Sequence, residues 1–105
     1  MMDGLHYTFS DVIKQWLGSK STWHYVSLPA SMSDEVYTLS QYHQTKRRGW
    51  GAVKVAVSVA NQQWQTSIFP AFEGKRYALF LKADVRKQLG VAVGNEITVT
   101  LKILF

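Results

Sequence analysis

The sequence contains no cysteine, which excludes disulfide bonds and thiolate metal sites. It also contains no apolar run near the ~20 residues that a membrane-spanning helix needs. The first four residues lack the basic start and the following apolar stretch of a secretion signal. These absences predict a soluble protein with no membrane partner, and we expect it in the reducing cytoplasm.

The residues that build catalytic and metal sites are few and scattered. The three histidines, His6, His24 and His43, are far apart and show neither HxH nor HExxH spacing. The seven carboxylates form no paired motif. We therefore predict no metal site, no cofactor and no catalytic residue, and we favour a protein that is not an enzyme.

Length and net charge are compatible with a single folded domain and with more than one kind of ligand. The 105 residues fit one domain, residues 1–105, because a typical domain holds about 100–150 residues. A chain of this length buries enough apolar surface to fold without a staple. The net charge of +5 is compatible with nucleic-acid binding. However, the basic residues are mostly scattered, so charge alone does not favour that function.

Alternating apolar residues predict a mainly β protein. The clearest cases are residues 53–59 and 97–103, in which every second residue is valine, isoleucine or leucine. Four more strands are predicted, over residues 5–16, 23–28, 64–68 and 77–81. The first is interrupted at most by a bulge near Ser10 and Asp11. The short polar link at residues 60–63 predicts an antiparallel hairpin.

Two helices are predicted between these strands. Apolar residues at helical spacing, and the hydroxyl-then-acid pattern of residues 31–34, predict a helix from about Ser33 to about His43. A second, shorter helix is predicted over residues 83–89. It is followed by Gly90, at the position where helix ends favour a residue with positive φ.

The two halves of the chain show the same order of elements. Residues 26–36 align with residues 79–89 at a constant offset, and each segment is followed by one of the two clearest strands. Two such units that close against each other would remove both exposed sheet edges. We therefore predict a small closed or pseudo-closed β-barrel of six or seven strands, with two short helices and an internal pseudo-repeat.

Several stretches resemble known families. Residues 81–97 resemble the swapped-hairpin domain of AbrB-like and MazE-like DNA-binding proteins, with Asn95 where that family usually has aspartate. Residues 48–55, 64–70 and 82–87 together are similar to a family of small prokaryotic proteins classed only as a domain of unknown function. The resemblance covers nearly the whole chain and implies a double-split β-barrel, distantly related to the swapped-hairpin proteins. It implies no activity.

The loop before the first valine-rich strand is the best candidate for a binding site. Its cations Lys46, Arg47 and Arg48 can pair with phosphates or carboxylates, and Trp50 can stack on a planar ligand. In a purely structural role, the same cations would complement the end of the preceding helix. The predicted ligand-binding residues are Arg48, Gly49, Trp50, Gly51, Trp64, Thr66 and Ser67.

Three functions follow from these features. The favoured one is a small non-catalytic binding or interaction module, monomeric or weakly dimeric, for an unknown small molecule or protein. One alternative is nucleic-acid binding through Lys46, Arg47 and Arg48. The other is a serine-dependent hydrolase using Ser67, although the sequence shows no base next to that serine. The four tryptophans would suit a planar or sugar-like ligand if two of them lined one opening.

Overall fold

Seven antiparallel strands and two helices surround one apolar core in a computed structural model of the chain, which describes residues 5–43, 51–71 and 76–104. The strands are β1 (His6–Val12), β2 (Lys14–Leu17), β3 (Thr22–Ser27), β4 (Val53–Val59), β5 (Gln62–Ala71), β6 (Arg76–Phe80) and β7 (Glu96–Ile103). The helices are α1 (Ala30–His43) and α2 (Ala83–Leu89). Neither helix is long and apolar enough to cross a membrane, and the described part of the chain holds no other helix.

The strands form one sheet in the order β1-β7-β4-β5-β6-β3-β2. Its two edge strands, β1 and β2, are consecutive in the chain, with only Ile13 between them. Ile13 is 1% exposed, and its backbone exchanges hydrogen bonds with Asn95 and Gly94. The sheet therefore curls into a half-barrel, and both of its edges belong to one bent segment, residues 5–17.

The alternating strands place their apolar residues in the core as predicted. The inward residues of β4 and β7 are 0–6% exposed: Val53, Val55, Val57, Val59, Ile97, Val99, Leu101 and Ile103. The two strands also pair directly, with Val57 opposite Leu101. Full burial of one such side chain stabilises the fold by roughly 1.5–3 kcal/mol, so this pair of strands forms the centre of the core.

The strand pairing has the two-fold pattern that the predicted repeat requires. The segment 5–17 pairs with β3 of its own half and with β7 of the other half. In the same way, β5 pairs with β6 of its own half and with β4 of the other half. The strands β3 and β6 face each other with Val26 opposite Leu79, the two residues that the repeat aligns. Each ladder of one half thus has a counterpart in the other half.

The strand boundaries differ from the prediction in two places. Residues 5–16 do not form one strand, since the chain bends at Ile13 to pair with two different partners, β7 and β3. The central strand, β5, begins at Gln62, inside the predicted link, and continues past Ile68 through Pro70 to Ala71. Proline is tolerated there because this end of β5 pairs only with β6.

The first helix starts earlier than predicted, and the second matches its prediction. Helix α1 begins at Ala30, directly after Pro29, so residues 31–34 lie inside its first turns and do not cap it. The fixed φ of proline is suited to a helix start, and the Ser33 amide donates to the Pro29 carbonyl (2.9 Å). Helix α2 covers the predicted residues and ends at Gly90, whose φ of 70° is left-handed.

Candidate functional site

A cleft opens where two neighbouring strands diverge. Phe69 of β5 pairs with Ala78 of β6, but the preceding β5 residues pair with β4 instead. Strand β6, in contrast, continues to Phe80 beside β3. The resulting gap, the β5–β6 cleft, has a volume of about 510 Å³. The lining side chains with distinctive chemistry are Trp23, His24, Thr66, Ser67, Phe69, Phe80, Lys82 and Arg86.

Three aromatic side chains give the cleft an apolar side. The rings of Trp23 and Phe80 meet edge to face, with centroids 5.5 Å apart, and the centroids of Phe69 and Phe80 are 6.1 Å apart. Trp23 is 45% exposed, which is high for a tryptophan in contact with other rings. The aromatic side of the cleft is therefore assembled and accessible to a planar apolar group.

Two cations give the cleft a positive side. Lys82 occupies the position before α2, and Arg86 lies in that helix. The Arg86 Nε donates to the Leu81 carbonyl (3.2 Å), which orients the guanidinium group and leaves its other donors for further partners. The only ion pair among the described residues is Asp11–Lys14, so neither cleft cation has a carboxylate partner there. An anionic group in this cleft would therefore lie beside two cations that pair with no carboxylate in the described part of the chain.

His24 adds a titratable side chain to the cleft lining. Its carbonyl accepts the Leu81 amide (2.8 Å), which fixes β3 against the residue before Lys82. The His24 Nδ1 is buried and has no hydrogen-bond partner in the described part of the chain. Burial, with the nearby Arg86 charge, lowers the pKa of His24 below its ordinary value. The lowered pKa favours the neutral form of His24 near pH 7.

We expect the folded protein to show a His24 pKa below the usual value of about 6.5. Above about pH 6.5 His24 is mostly neutral in both states, and its titration has little effect on stability. Below that pH the unfolded chain takes up the proton first, so acidification toward the folded pKa destabilises the fold, by at most about 1.4 kcal/mol per pH unit. An NMR titration of the imidazole carbons measures the pKa, with His24→Gln to assign the signal. Titration of His24 at or above 6.5 would contradict the described environment.

Most of the chain, including all residues that line the β5–β6 cleft, matches a family model. The model described as "Domain of unknown function (DUF1905)" matches residues 9–101. The chain belongs to the DUF1905 family. The match runs from β1 into β7, so the DUF1905 domain contains both halves of the sheet and the whole β5–β6 cleft. This confirms the predicted resemblance to a family without an assigned function. No curated protein matches the chain.

Some predicted site residues of the DUF1905 domain come together and others do not. Thr66 and Ser67 both line the β5–β6 cleft. Trp64 packs against the apolar core and lines a neighbouring cavity of about 220 Å³, which also contacts Thr66. Gly51 is buried before β4 with a left-handed φ of 84°. The remaining predicted residues, Lys46, Arg47, Arg48, Gly49 and Trp50, lie outside the described residues, so the loop site and the nucleic-acid alternative stay predictions.

The predicted site residues did not include Trp23, His24, Lys82 or Arg86. The predicted repeat contained a signal that could have found the first two. It aligned residue 26 with residue 79, and an antiparallel pairing of these two residues places His24 beside Leu81, at the start of the turn into α2. No local pattern marks these four residues, because only the long-range register of β3, β5 and β6 brings them together.

For the hydrolase alternative, the structure places a histidine in the same cleft as Ser67 but shows no hydrogen bond between the two side chains in the described part of the chain. Ser67 and His24 line the same cleft of the DUF1905 domain. No hydrogen bond joins them in the ranges that the structure describes, and the His24 Nδ1 is not held there by a third group. A serine nucleophile needs both of these contacts. The described residues therefore do not supply the contacts that activate a serine nucleophile.

Proposed function

We propose that this DUF1905 domain is a small non-catalytic binding module whose ligand occupies the β5–β6 cleft. The observation that carries the proposal is a cleft of about 510 Å³ in which three aromatic side chains face two cations, neither of which pairs with a carboxylate of the described residues. This volume falls within the roughly 300–1,000 Å³ of typical small-molecule sites. Such sites combine apolar walls with a few polar groups that orient the ligand, as this cleft does.

The lining residues favour a particular kind of ligand. Trp23, Phe69 and Phe80 favour a planar apolar group, because aromatic rings pack well in edge-to-face and offset arrangements. Lys82 and Arg86 favour a negative group, since charge-assisted hydrogen bonds are stronger than neutral ones. The favoured ligand is therefore a small molecule that carries both an aromatic ring and an anionic group.

We further infer that the segment 5–17 closes the half-barrel into a double-split barrel. Its two parts pair with opposite ends of the sheet, and its bend at Ile13 is buried. The Asp11 side chain also reaches across to β3, where its Oδ2 accepts the Ser27 amide (2.9 Å). Closure would hold β3, β5 and β6 in a fixed relation and so keep the cleft preformed.

Replacing Trp23 with alanine is expected to weaken ligand binding at least tenfold, which corresponds to about 1.4 kcal/mol. The reason is the loss of the most exposed aromatic side chain of the cleft. The measurement is a ¹H–¹⁵N NMR titration of the full chain with a set of small aromatic acids. In the unmodified protein, the largest shifts should cluster on Thr66, Ser67 and Lys82.

Tyr37→Ala provides the matched control, because Tyr37 is a similarly exposed aromatic residue (50%) on α1. It should leave the affinity unchanged. Two results would refute the proposed function. One is the absence of ligand-induced shifts around the cleft across the whole set of aromatic compounds. The other is chemical conversion of a bound compound, which would show that the domain is an enzyme.

A further inference from the structure

The sheet contains a second gap, which the repeat relates to the β5–β6 cleft. Near one hairpin, Lys14 of β2 pairs with Tyr25 of β3, as Phe69 of β5 pairs with Ala78 of β6. The residues before Lys14 pair with β7 instead of β3. In the same way, the residues before Phe69 pair with β4 instead of β6. We call this second gap the β1–β3 gap.

The strand register fixes which residues correspond. Since Val26 and Leu79 occupy equivalent positions, Tyr25 corresponds to Ala78, and their partners Lys14 and Phe69 correspond to each other. One residue earlier in each strand lies an isoleucine, Ile13 or Ile68, and these are 1% and 0% exposed. This common burial supports the alignment.

Two residues before each isoleucine, the halves differ in charge. The corresponding residues are Asp11 and Thr66, which face core residues across their ladders, Ile97 and Val55 respectively. Both side chains therefore lie on the inner face of their strand. One gap receives a carboxylate at this position, and the other receives only a hydroxyl.

The Asp11 carboxylate fills the β1–β3 gap. Its Oδ2 accepts the Ser27 backbone amide (2.9 Å) and pairs with the Lys14 ammonium group. Burial opposes ionisation of Asp11, but the hydrogen bonds from Lys14 and Ser27 outweigh it and lower the pKa of the carboxyl group. The Ser27 amide, which has no backbone acceptor in β1, thus donates to the Asp11 carboxylate, and Lys14 balances the charge of that carboxylate.

The β5–β6 cleft contains a backbone amide that corresponds to the Ser27 amide of the β1–β3 gap. The counterpart of Ser27 is Phe80, since Ser27 pairs with Ala78 as Phe80 pairs with Tyr25. The Leu81 amide donates toward β3, to His24, so the amide of the preceding residue, Phe80, points the other way, toward β5. The β5 residue opposite it, Ser67, pairs instead with Lys54 of β4.

The cleft also supplies positive charge, although from different positions. Lys14 corresponds to Phe69, which is uncharged, but Lys82 and Arg86 line the cleft from the turn into α2 and from α2 itself. The Arg86 guanidinium is already oriented by the Leu81 carbonyl. The cleft therefore has an amide directed toward the gap and two cations that pair with no carboxylate of the described residues. The carboxylate that completes the other gap has no counterpart at Thr66.

We propose that the β5–β6 cleft binds the carboxylate of a small aromatic acid at the position that corresponds to the Asp11 carboxylate in the β1–β3 gap. The Phe80 amide donates to this carboxylate, Arg86 and Lys82 balance its charge, and the aromatic ring packs against Trp23 and Phe69. This inference rests on the proposed function, and it specifies the anionic group and its anchor.

The first experiment compares acids with their neutral amides on the full chain. Phenylacetate and indole-3-acetate are titrated beside phenylacetamide and indole-3-acetamide, followed by ¹H–¹⁵N NMR. We expect each acid to bind at least tenfold more tightly than its amide and to shift the Phe80 amide proton. Equal binding of acid and amide in the cleft would overturn the carboxylate anchor and leave the proposed function standing. If no aromatic compound, charged or neutral, binds in the cleft, the proposed function fails as well.

The second experiment supplies the missing carboxylate from the protein. Thr66→Asp should reduce the affinity for both acids at least tenfold and should shift the Phe80 amide proton in the absence of ligand. Thr66→Asn matches aspartate in shape but carries no charge, and its side-chain oxygen can still accept the Phe80 amide, so it should reduce the affinity for the acids less than Thr66→Asp does. Chemical-shift dispersion and thermal unfolding verify that each variant is folded. Unchanged acid binding by a folded Thr66→Asp variant would overturn the proposal.

Discussion

Replacing Ile13 with alanine is expected to destabilise the protein by about 2–5 kcal/mol, and Ile68→Ala is expected to have an effect of the same size. Both side chains are essentially fully buried, at 1% and 0% exposure. Each lies where a strand passes from one pairing partner to the next. Truncation therefore removes buried apolar surface and leaves a cavity at the point where two ladders join. Urea unfolding followed by circular dichroism measures both values.

Val12→Ala is the control for the first substitution, because Val12 precedes Ile13 and is 41% exposed. It should change the free energy of unfolding by less than about 1 kcal/mol. The comparison of the two isoleucine variants tests the equivalence of the two gaps. If Ile68→Ala shows the full loss but Ile13→Ala has an effect no larger than the control, the bend is not a core element and the equivalence is wrong.

Those parts of the fold that depend on local patterns could be predicted from the sequence. The period-two alternation of β4 and β7 identifies two strands of the core, and Gly90 marks the end of α2, where φ is 70°. The bend at Ile13 could not be predicted in this way. No glycine or proline lies within four residues of it in the sequence, and it exists because one continuous segment must pair with both β7 and β3. That requirement is a property of the whole sheet.

The same distinction explains the partial success at the site. Thr66 and Ser67 were predicted as site residues, and they do line the cleft. His24 and Arg86 were not, although they lie in the same cleft, because an isolated histidine in a strand and an arginine in a short helix match no motif. The cleft arises from the divergence of β5 from β6, which depends on the register of three strands. A search for motifs in a sequence finds loops rich in glycine and charge more readily than clefts that depend on long-range strand register.

The two gaps also differ in how each half of the repeat is stabilised. In the β1–β3 gap the chain provides its own carboxylate and its own cation. In the β5–β6 cleft it provides cations and leaves space. In a framework with two similar halves, one gap can stabilise the fold while the other is left open for a ligand. A substitution at Asp11 or Thr66 changes only one of the two gaps, because the backbone pairing of the strands does not depend on these side chains. The stabilising role of Asp11 is therefore the natural counterpart of the binding proposal.

Replacing Asp11 with alanine is expected to reduce the free energy of unfolding by about 1–3 kcal/mol at pH 7. The Ser27 amide would lose its acceptor at a residue that is only 6% exposed, and Lys14 would lose its ion-pair partner. Because the folded pKa of Asp11 is lowered, its contribution is fully present above the unfolded pKa of about 3.8 and is lost as the pH falls through the folded value. The difference in stability between the unmodified protein and Asp11→Ala should therefore shrink between pH 5 and a pH well below 3.8.

Asp11→Asn separates the two contributions, because its amide oxygen can still accept the Ser27 N–H while the ion pair with Lys14 is removed. We expect its stability at neutral pH to lie between those of the unmodified protein and Asp11→Ala. Urea unfolding of the three proteins across the pH range gives both the size and the pH dependence of the effect. Equal stability of Asp11→Ala and the unmodified protein at pH 7 would show that the carboxylate does not stabilise the β1–β3 gap, and the Asp11 carboxylate would then be a poor template for a ligand carboxylate in the β5–β6 cleft.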